Sequence, residues 1–206
     1  MLSNNPLEDT NGVIIRVWTS GFNKGTPGAS VGHVSIEIPK KGDKPHYFSL
    51  WPDRSAPHTS MGIFTPIQGT FHQYEDDIMA ENRSPETTVC LYGLNVSFMK
   101  AEFTKISSDG ANQEIGWVLI GGNRIINQGK GESCASLAWR LLKVAGIYEE
   151  ISSSWSSKFS SIITPDNVGK AIMAAKKYEL SKHPETKDFV YSEETNISDR
   201  NSCTMV

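Results

Sequence analysis

A cysteine and a histidine are the residues of this sequence best suited to covalent chemistry. Cys134 follows Ser133 where a glycine-containing stretch gives way to apolar residues at helical spacing, which predicts a helix capped by Ser133 with Cys134 in its first turn. Unpaired backbone N–H groups and the positive end of the helix dipole stabilise a thiolate there. The position suits a nucleophile; the alternative is a small buried cysteine that fills space beside Leu137.

His33 is the candidate base for this thiol. It directly follows Gly32 and opens a segment in which apolar and polar residues alternate to Ile38, which predicts a strand with one buried face and the histidine at a sheet rim. A helix that presents sulfur and a strand that presents imidazole are the two elements of a thiol active site, in which the histidine takes the thiol proton. A hydrogen-bonded structural histidine is the alternative.

The elements that must position this pair form a mixed α/β (α+β) fold. A small, mostly antiparallel sheet is predicted to pack against the cysteine helix. Strands are predicted near residues 13–18, 33–38, 46–50 and 87–92, and helices at about 95–106, from 134 and from 165. A flexible leader (1–12), one domain (13–177) and a polar, flexible tail (178–206) are predicted, with an irregular loop over 54–73.

Composition argues against several classes of function. The 206 residues carry a net charge of -3 and no basic run, so nucleic-acid binding is not expected. No apolar stretch reaches the roughly 18 residues of a membrane span, and the N-terminus lacks the pattern of a signal peptide. Three scattered cysteines predict neither a disulfide framework nor a zinc site, so no metal or bound cofactor is expected.

The motifs resemble the circularly permuted papain-like fold over roughly residues 13 to 147, with the histidine ahead of the cysteine. The closest branch contains the Rho-inactivation domain of large bacterial toxins and the IcsB-type secreted effectors; the lecithin:retinol acyltransferase group is a more distant likeness. The segments that carry the resemblance are Gly32-His33-Val34-Ser35-Ile36, Tyr47-Phe48-Ser49-Leu50-Trp51-Pro52 and Ser133-Cys134.

This resemblance implies a fatty acyltransferase. Cys134 would take an acyl group as a thioester, with fatty acyl-CoA as the donor substrate and His33 as general base. The acceptors in the closest branch are lysines of small GTPases, which makes such proteins the expected partners.

Three residues compete for the third catalytic position. His46, thirteen positions after His33, matches the second histidine of the retinol acyltransferase pattern, and would face His33 across a hairpin. Asp77 or Asp76 matches the acidic residue of the toxin and effector branch, and a carboxylate there would fix the tautomer of His33 and stabilise its imidazolium. Asp77 ranks first, His46 second and Asp76 third; Asp53 is an outside candidate.

Several neighbouring residues are assigned supporting roles. The backbone N–H of Cys134 would hold the oxyanion, with the segment Gly121-Gly122-Asn123 either a second donor or a plain turn. Trp51 is interpreted as a core or pocket-wall residue, and Cys90, between apolar neighbours on a strand, is expected to be buried and inert.

The last four residues, Cys203-Thr204-Met205-Val206, fit the C-a-a-X prenylation signal. A host prenyltransferase would modify Cys203, and one lipid would give marginal, reversible membrane binding. A bacterial effector secreted into a eukaryotic host cell, membrane-associated through this lipid with its catalytic domain in the cytosol, reconciles the signal with the resemblance.

Two other functions use the same residues. A cysteine protease or a hydrolase that removes ubiquitin-like proteins needs the same Cys–His pair. A non-catalytic, prenylated interaction module would make Cys134 structural.

Overall fold

A four-stranded antiparallel sheet forms the centre of the fold. The computed structural model describes residues 12–22, 29–40, 43–53, 66–111, 116–120, 131–147, 151 and 163–184. The strands are β1 (Val13–Trp18), β2 (Gly21–Phe22), β3 (Ala29–Ser30), β4 (His33–Ile38), β5 (His46–Phe48), β6 (Leu50–Pro52), β7 (Gly69–Phe71), β8 (Thr87–Leu91), β9 (Gly116–Trp117) and β10 (Gly131–Glu132). The helices are α1 (Tyr74–Glu81), α2 (Val96–Ala111), α3 (Cys134–Val144) and α4 (Pro165–Lys182).

The central sheet has the order β5-β4-β1-β8, and every neighbouring pair is antiparallel. These are the strands predicted near residues 13, 33, 46 and 88, so the mixed α/β class with a small antiparallel sheet is confirmed. Three two-stranded sheets flank it, of which β6–β7 and β2–β3 are antiparallel and β9–β10 is parallel. The β6–β7 pair continues the chain directly from β5 and brings Trp51 towards His33.

Both faces of the central sheet are covered. Val34 and Ile36 lie on the apolar face, which α3 and α4 cover. His33 and Ser35 lie on the opposite, polar face, where His33 contacts Asp77 of α1. All six residues of β4 are buried, so the prediction of a single buried face for this strand is wrong. The reason is that the polar side chains of the second face bond other buried groups instead of water: His33 bonds Asp77, Ser35 bonds Tyr47 and Glu37 bonds Arg16.

Helix boundaries follow local capping chemistry. Ser133 caps α3 by accepting a hydrogen bond from the Ser136 N–H at 3.1 Å, as predicted. Thr164 caps α4 by accepting one from the Asn167 N–H at 3.2 Å, which agrees with the helix predicted from residue 165. The acidic segment after residue 73, which has the composition of a solvated loop, forms α1.

Helix α4 continues to Lys182, so the predicted start of a flexible tail at residue 178 is wrong. The physical reason is Glu179, which is buried and accepts hydrogen bonds from the Tyr92 backbone N–H at 3.2 Å and from Lys176 at 2.9 Å. The leader (residues 1–11) and the chain beyond residue 184 lie outside the described residues. Across the described ranges, no helix combines the length and the apolar character needed to cross a bilayer.

Candidate active site

His33 sits at the first position of β4 because the residue before it is a glycine. Gly32 has a φ of +80°, in the left-handed region, and a Cβ there would lie 2.5 Å from the carbonyl oxygen of Trp18. The chain can therefore approach β1 closely and deliver His33 opposite Trp18, its register partner. The imidazole ends up almost fully buried at the rim of the sheet.

The carboxylate of Asp77 is the shared hydrogen-bond acceptor of the site. The Asp77 side chain is fully buried on α1 and accepts hydrogen bonds from Tyr47 Oη at 2.7 Å, Ser49 Oγ at 2.8 Å and Trp51 Nε1 at 2.7 Å. His33 Nε2 lies 3.2 Å from Asp77 Oδ2. Four donors on one carboxylate compensate for the cost of burying its charge.

The hydrogen bonds around Ser49 determine the tautomer of His33. An ionised carboxylate only accepts hydrogen bonds, so the single hydroxyl proton of Ser49 goes to Asp77 Oδ1. The Ser49 oxygen must then accept from His33 Nε2, which lies 2.9 Å away. A neutral His33 therefore carries its proton on Nε2 and keeps the lone pair of Nδ1 for a further partner.

Cys134 is that partner. It begins α3, is 9% exposed, and its side chain hydrogen-bonds with His33. Because both oxygen contacts of the ring use Nε2, Nδ1 is the ring nitrogen left for the thiol. The prediction that Cys134 opens a helix is confirmed, and the structure brings Cys134, His33 and Asp77 into one connected group.

The electrostatics of the site favour an imidazolium at His33. Burial alone would lower the pKa of His33, but the charge and hydrogen bond of Cys134, together with those of Asp77, raise it to about 9. Burial would likewise raise the pKa of Asp77, yet hydrogen bonds and charge from His33, and hydrogen bonds from Tyr47 and Ser49, keep it below its ordinary value. Burial and the nearby Asp77 charge raise the pKa of Tyr47, so its phenol stays a donor.

Two tryptophans enclose the His33 ring. Trp51 stacks on it with ring centroids 4.4 Å apart and an interplanar angle of 29°, and Trp18 lies 5.4 Å away at 49°. The indole N–H of Trp18 donates to the Arg83 carbonyl at 2.9 Å, which holds this ring in place. The prediction of Trp51 as a wall residue is therefore incomplete, because Trp51 also donates to Asp77.

A second buried acid on α1 anchors the chain that precedes His33. Glu81 lies one turn after Asp77, and its carboxylate accepts a hydrogen bond from Ser30 Oγ at 2.9 Å. Ser30 Oγ in turn accepts from the Gly32 N–H at 3.0 Å. Asp77 and Glu81, on one face of α1, thus hold both His33 and the turn that delivers it.

The structure does not bring two of the candidates for the third position to His33. In the β4–β5 hairpin, His46 pairs with Ile38, which lies at the opposite end of β4 and five residues from His33. The side chain of His46 is exposed. The carboxylate of Asp76 accepts from the Gln73 N–H at 2.9 Å and caps α1 instead.

The remaining assignments have mixed outcomes. Asp53 ends the β6 segment, where its backbone N–H donates to the Gln68 carbonyl at 2.9 Å. Cys90 is buried on β8, as predicted. The segment 121–123 and Cys203 lie outside the described residues. Within the ranges described, no group of His, Cys, Asp and Glu side chains could hold a metal ion.

Sequence reasoning missed three side chains that complete the site. Tyr47, Ser49 and Trp51 all donate to Asp77. Their spacing of two residues was the available signal, because alternate residues of an extended chain lie on one face. Three hydrogen-bond donors on one face of an extended segment indicate that they share a buried acceptor.

Comparison with known proteins adds no relative: no protein-family model, curated protein or solved structure matches the chain.

Proposed function

We propose that this protein is a cysteine-dependent acyltransferase in which Cys134 is the nucleophile and His33 is the general base. Asp77 orients the imidazole of His33 and stabilises its protonated form. The observation that carries the proposal is that Cys134 and Asp77 both interact with one buried imidazole. A structural cysteine needs no such partner, whereas a thiol nucleophile needs a base that is itself held by a third group.

The first step forms an acyl-enzyme. The proton of Cys134 passes to Nδ1 of His33, which gives the thiolate–imidazolium pair that the site favours, and the thiolate then attacks the carbonyl carbon of a thioester donor such as a fatty acyl-CoA. Collapse of the tetrahedral intermediate breaks the donor C–S bond, and the departing CoA thiolate takes the proton back from His33. One thioester replaces another, so the step is close to balanced in free energy.

The oxyanion of this step needs donors at the start of α3. The first N–H groups of a helix have no intrahelical partner, and in α3 the Ser133 cap takes up the N–H of Ser136 while Leu137 begins the helical ladder. The Cys134 N–H precedes both positions and lies beside the attacking sulfur. It is the donor we assign to the oxyanion.

The second step transfers the acyl group to an amine. A lysine ε-amino group attacks the Cys134 thioester, His33 accepts the proton that the nitrogen loses, and Cys134 leaves as a thiolate that is reprotonated from His33. The resemblance to the toxin and effector acyltransferases supports lysines of small GTPases as acceptors. If water replaces the amine, the same residues catalyse hydrolysis.

Intact-protein mass spectrometry after incubation with palmitoyl-CoA tests this proposal. We expect a mass increase of one acyl group that hydroxylamine removes, as for a thioester, and that is absent from Cys134→Ala. His33→Ala should also lose it, and the double variant should lose no more, because the two residues act as one unit.

Cys90→Ser is the matched control, since Cys90 is the other cysteine in the described core. It should keep the adduct. Absence of an adduct in the wild type, or its loss in Cys90→Ser, would contradict the proposal. Labelling of Cys134 by a ubiquitin-tail electrophile without acyl-CoA labelling would favour the hydrolase alternative.

A further inference from the structure

A second histidine approaches the carboxylate that holds His33. His72 Nδ1 lies 3.6 Å from Asp77 Oδ1, and its ring stacks with Trp51 at a centroid distance of 5.4 Å and an interplanar angle of 17°. The His72 backbone N–H donates to the Ser49 carbonyl at 3.2 Å. His72 is therefore fixed to the same strand segment that supplies donors to Asp77.

His72 differs from His33 in its access to solvent. The side chain of His72 is 24% exposed, whereas that of His33 is 2% exposed. Solvent therefore reaches part of the His72 ring, although its Nδ1 atom, which faces Asp77, is buried, and histidine is the side chain that changes charge between about pH 5 and 8. His72 is thus placed to transmit solvent pH to Asp77.

We propose that His72 is a positioning residue whose charge sets how strongly Asp77 stabilises the imidazolium of His33. The inference rests on the proposed function, because it concerns the base of Cys134. While His72 is neutral, the Asp77 charge acts mainly on His33. A protonated His72 partly neutralises the Asp77 carboxylate. It also places a second positive charge within roughly 10 Å of His33. Proton transfer from Cys134 to His33 then becomes less favourable, and the thiol reacts more slowly.

The elements around His72 contribute other titratable groups. Asp77 is the one through which His72 reaches His33, because it approaches both rings. The indole of Trp51, in contact with both histidines, carries no charge. The titratable side chains on β4, on the first turn of α1 and directly after β6 are His33, Glu37, Tyr74, Glu75, Asp76, Asp77 and Asp53.

Alkylation of Cys134 by iodoacetamide across the acid range tests the proposal without any acyl substrate. Peptide mapping separates the reaction at Cys134 from that at Cys90 and Cys203. His72→Phe keeps an aromatic ring against Trp51 and removes the charge. Between about pH 7.5 and 5.5, we expect the wild-type rate to fall about two- to threefold more than the variant rate. The repulsion between His72 and the imidazolium of His33, at roughly 10 Å with an effective dielectric constant of about 20, is partly offset by the attraction of the same charge to the more distant Cys134 thiolate.

His46→Phe is the matched control, because His46 is exposed and lies outside the site; it should keep the wild-type profile. His72→Gln repeats the comparison if His72→Phe does not fold. Superimposable profiles for the wild type and the folded His72 variant would overturn this inference and leave the proposed function standing. A Cys134 that reacts no faster than buried Cys90 would overturn the proposed function as well.

Discussion

The hydroxyl of Ser49 lies 2.9 Å from Nε2 of His33 and donates its own proton to Asp77. Ser49 therefore connects His33 to Asp77. Its hydroxyl proton is donated to Asp77, so its oxygen can only accept a hydrogen bond from His33, and Nε2 must carry the proton. The lone pair of Nδ1 is thereby directed to the remaining side of the ring. Ser49 in this way determines which ring nitrogen of His33 is left for Cys134, although, within the described residues, no hydrogen bond joins Ser49 to Cys134.

Ser49→Ala should slow acylation of Cys134 about ten- to a hundredfold, because a hydrogen bond to a charged group contributes roughly 1.5–3 kcal/mol. The measurement is the rate of acyl-enzyme formation by intact mass. Ser35→Ala is the matched control: Ser35 is equally buried but bonds the Tyr47 hydroxyl at 2.7 Å and not His33. An equal loss in both variants would show that only general packing is at stake.

Asp77→Asn should lower the rate of acylation by roughly 10²–10⁴-fold, since the amide cannot stabilise the imidazolium and turns an N–H group towards existing donors. It should also lower the free energy of unfolding by about 3–5 kcal/mol, the cost of breaking a buried ion pair. Denaturant unfolding and acylation rates measure the two effects.

Asp76→Asn is its neighbouring control. Asp76 only caps α1, so the substitution should cost about 1 kcal/mol of stability and leave the rate nearly unchanged. An Asp76 variant as impaired in acylation as the Asp77 variant would contradict the assignment.

The central sheet and the position of Cys134 were predictable because each depends on local pattern. A run of β-branched and mostly apolar residues identifies β1, and alternation identifies β4. The Ser133 cap followed by apolar residues at helical spacing identifies α3. The pairing of Cys134 with His33 was inferred from residue types and from family resemblance, and the structure brings them into contact.

The third member of the site could not be determined from local pattern. Asp76 and Asp77 are adjacent and chemically identical, and only the rotation of α1 against the sheet decides which one is buried. The prediction that His46 faces His33 could not hold, because the register of β4 and β5 depends on the length and geometry of the turn between them, which composition does not specify.

Gly32→Ala should lower both stability and acylation rate. A non-glycine residue in the left-handed region costs about 1–2 kcal/mol, and the added Cβ would meet the Trp18 carbonyl at 2.5 Å. His33 would be displaced from the rim. Gly21→Ala is the control, because nothing lies within 4 Å of a Cβ there. Thermal unfolding and acylation assays should separate the two variants; similar behaviour would argue against Gly32 as the residue that positions His33.

Cys203→Ser should move the protein from membranes to the cytosol of a eukaryotic cell, if the C-terminal motif is prenylated. Acylation of a soluble acceptor should be unchanged, while acylation of a membrane-bound one should fall. Fractionation of wild type and variant at equal expression measures the partition. Because one lipid anchors weakly, equal partition of the two proteins would show that the motif is not used.

The most direct test of the Cys134–His33–Asp77 unit is an NMR titration of the His33 ring. In the wild type we expect its midpoint at about pH 9, because Cys134 and Asp77 outweigh burial; in Cys134→Ala the midpoint should fall. With the folded pKa above the ordinary value of about 6.5, the pair's contribution to stability is fully present below about pH 6.5 and is lost as the pH rises through about 9. A midpoint at or below about 6.5 that Cys134→Ala leaves unchanged would contradict the account, because it would show that thiol and imidazole do not interact.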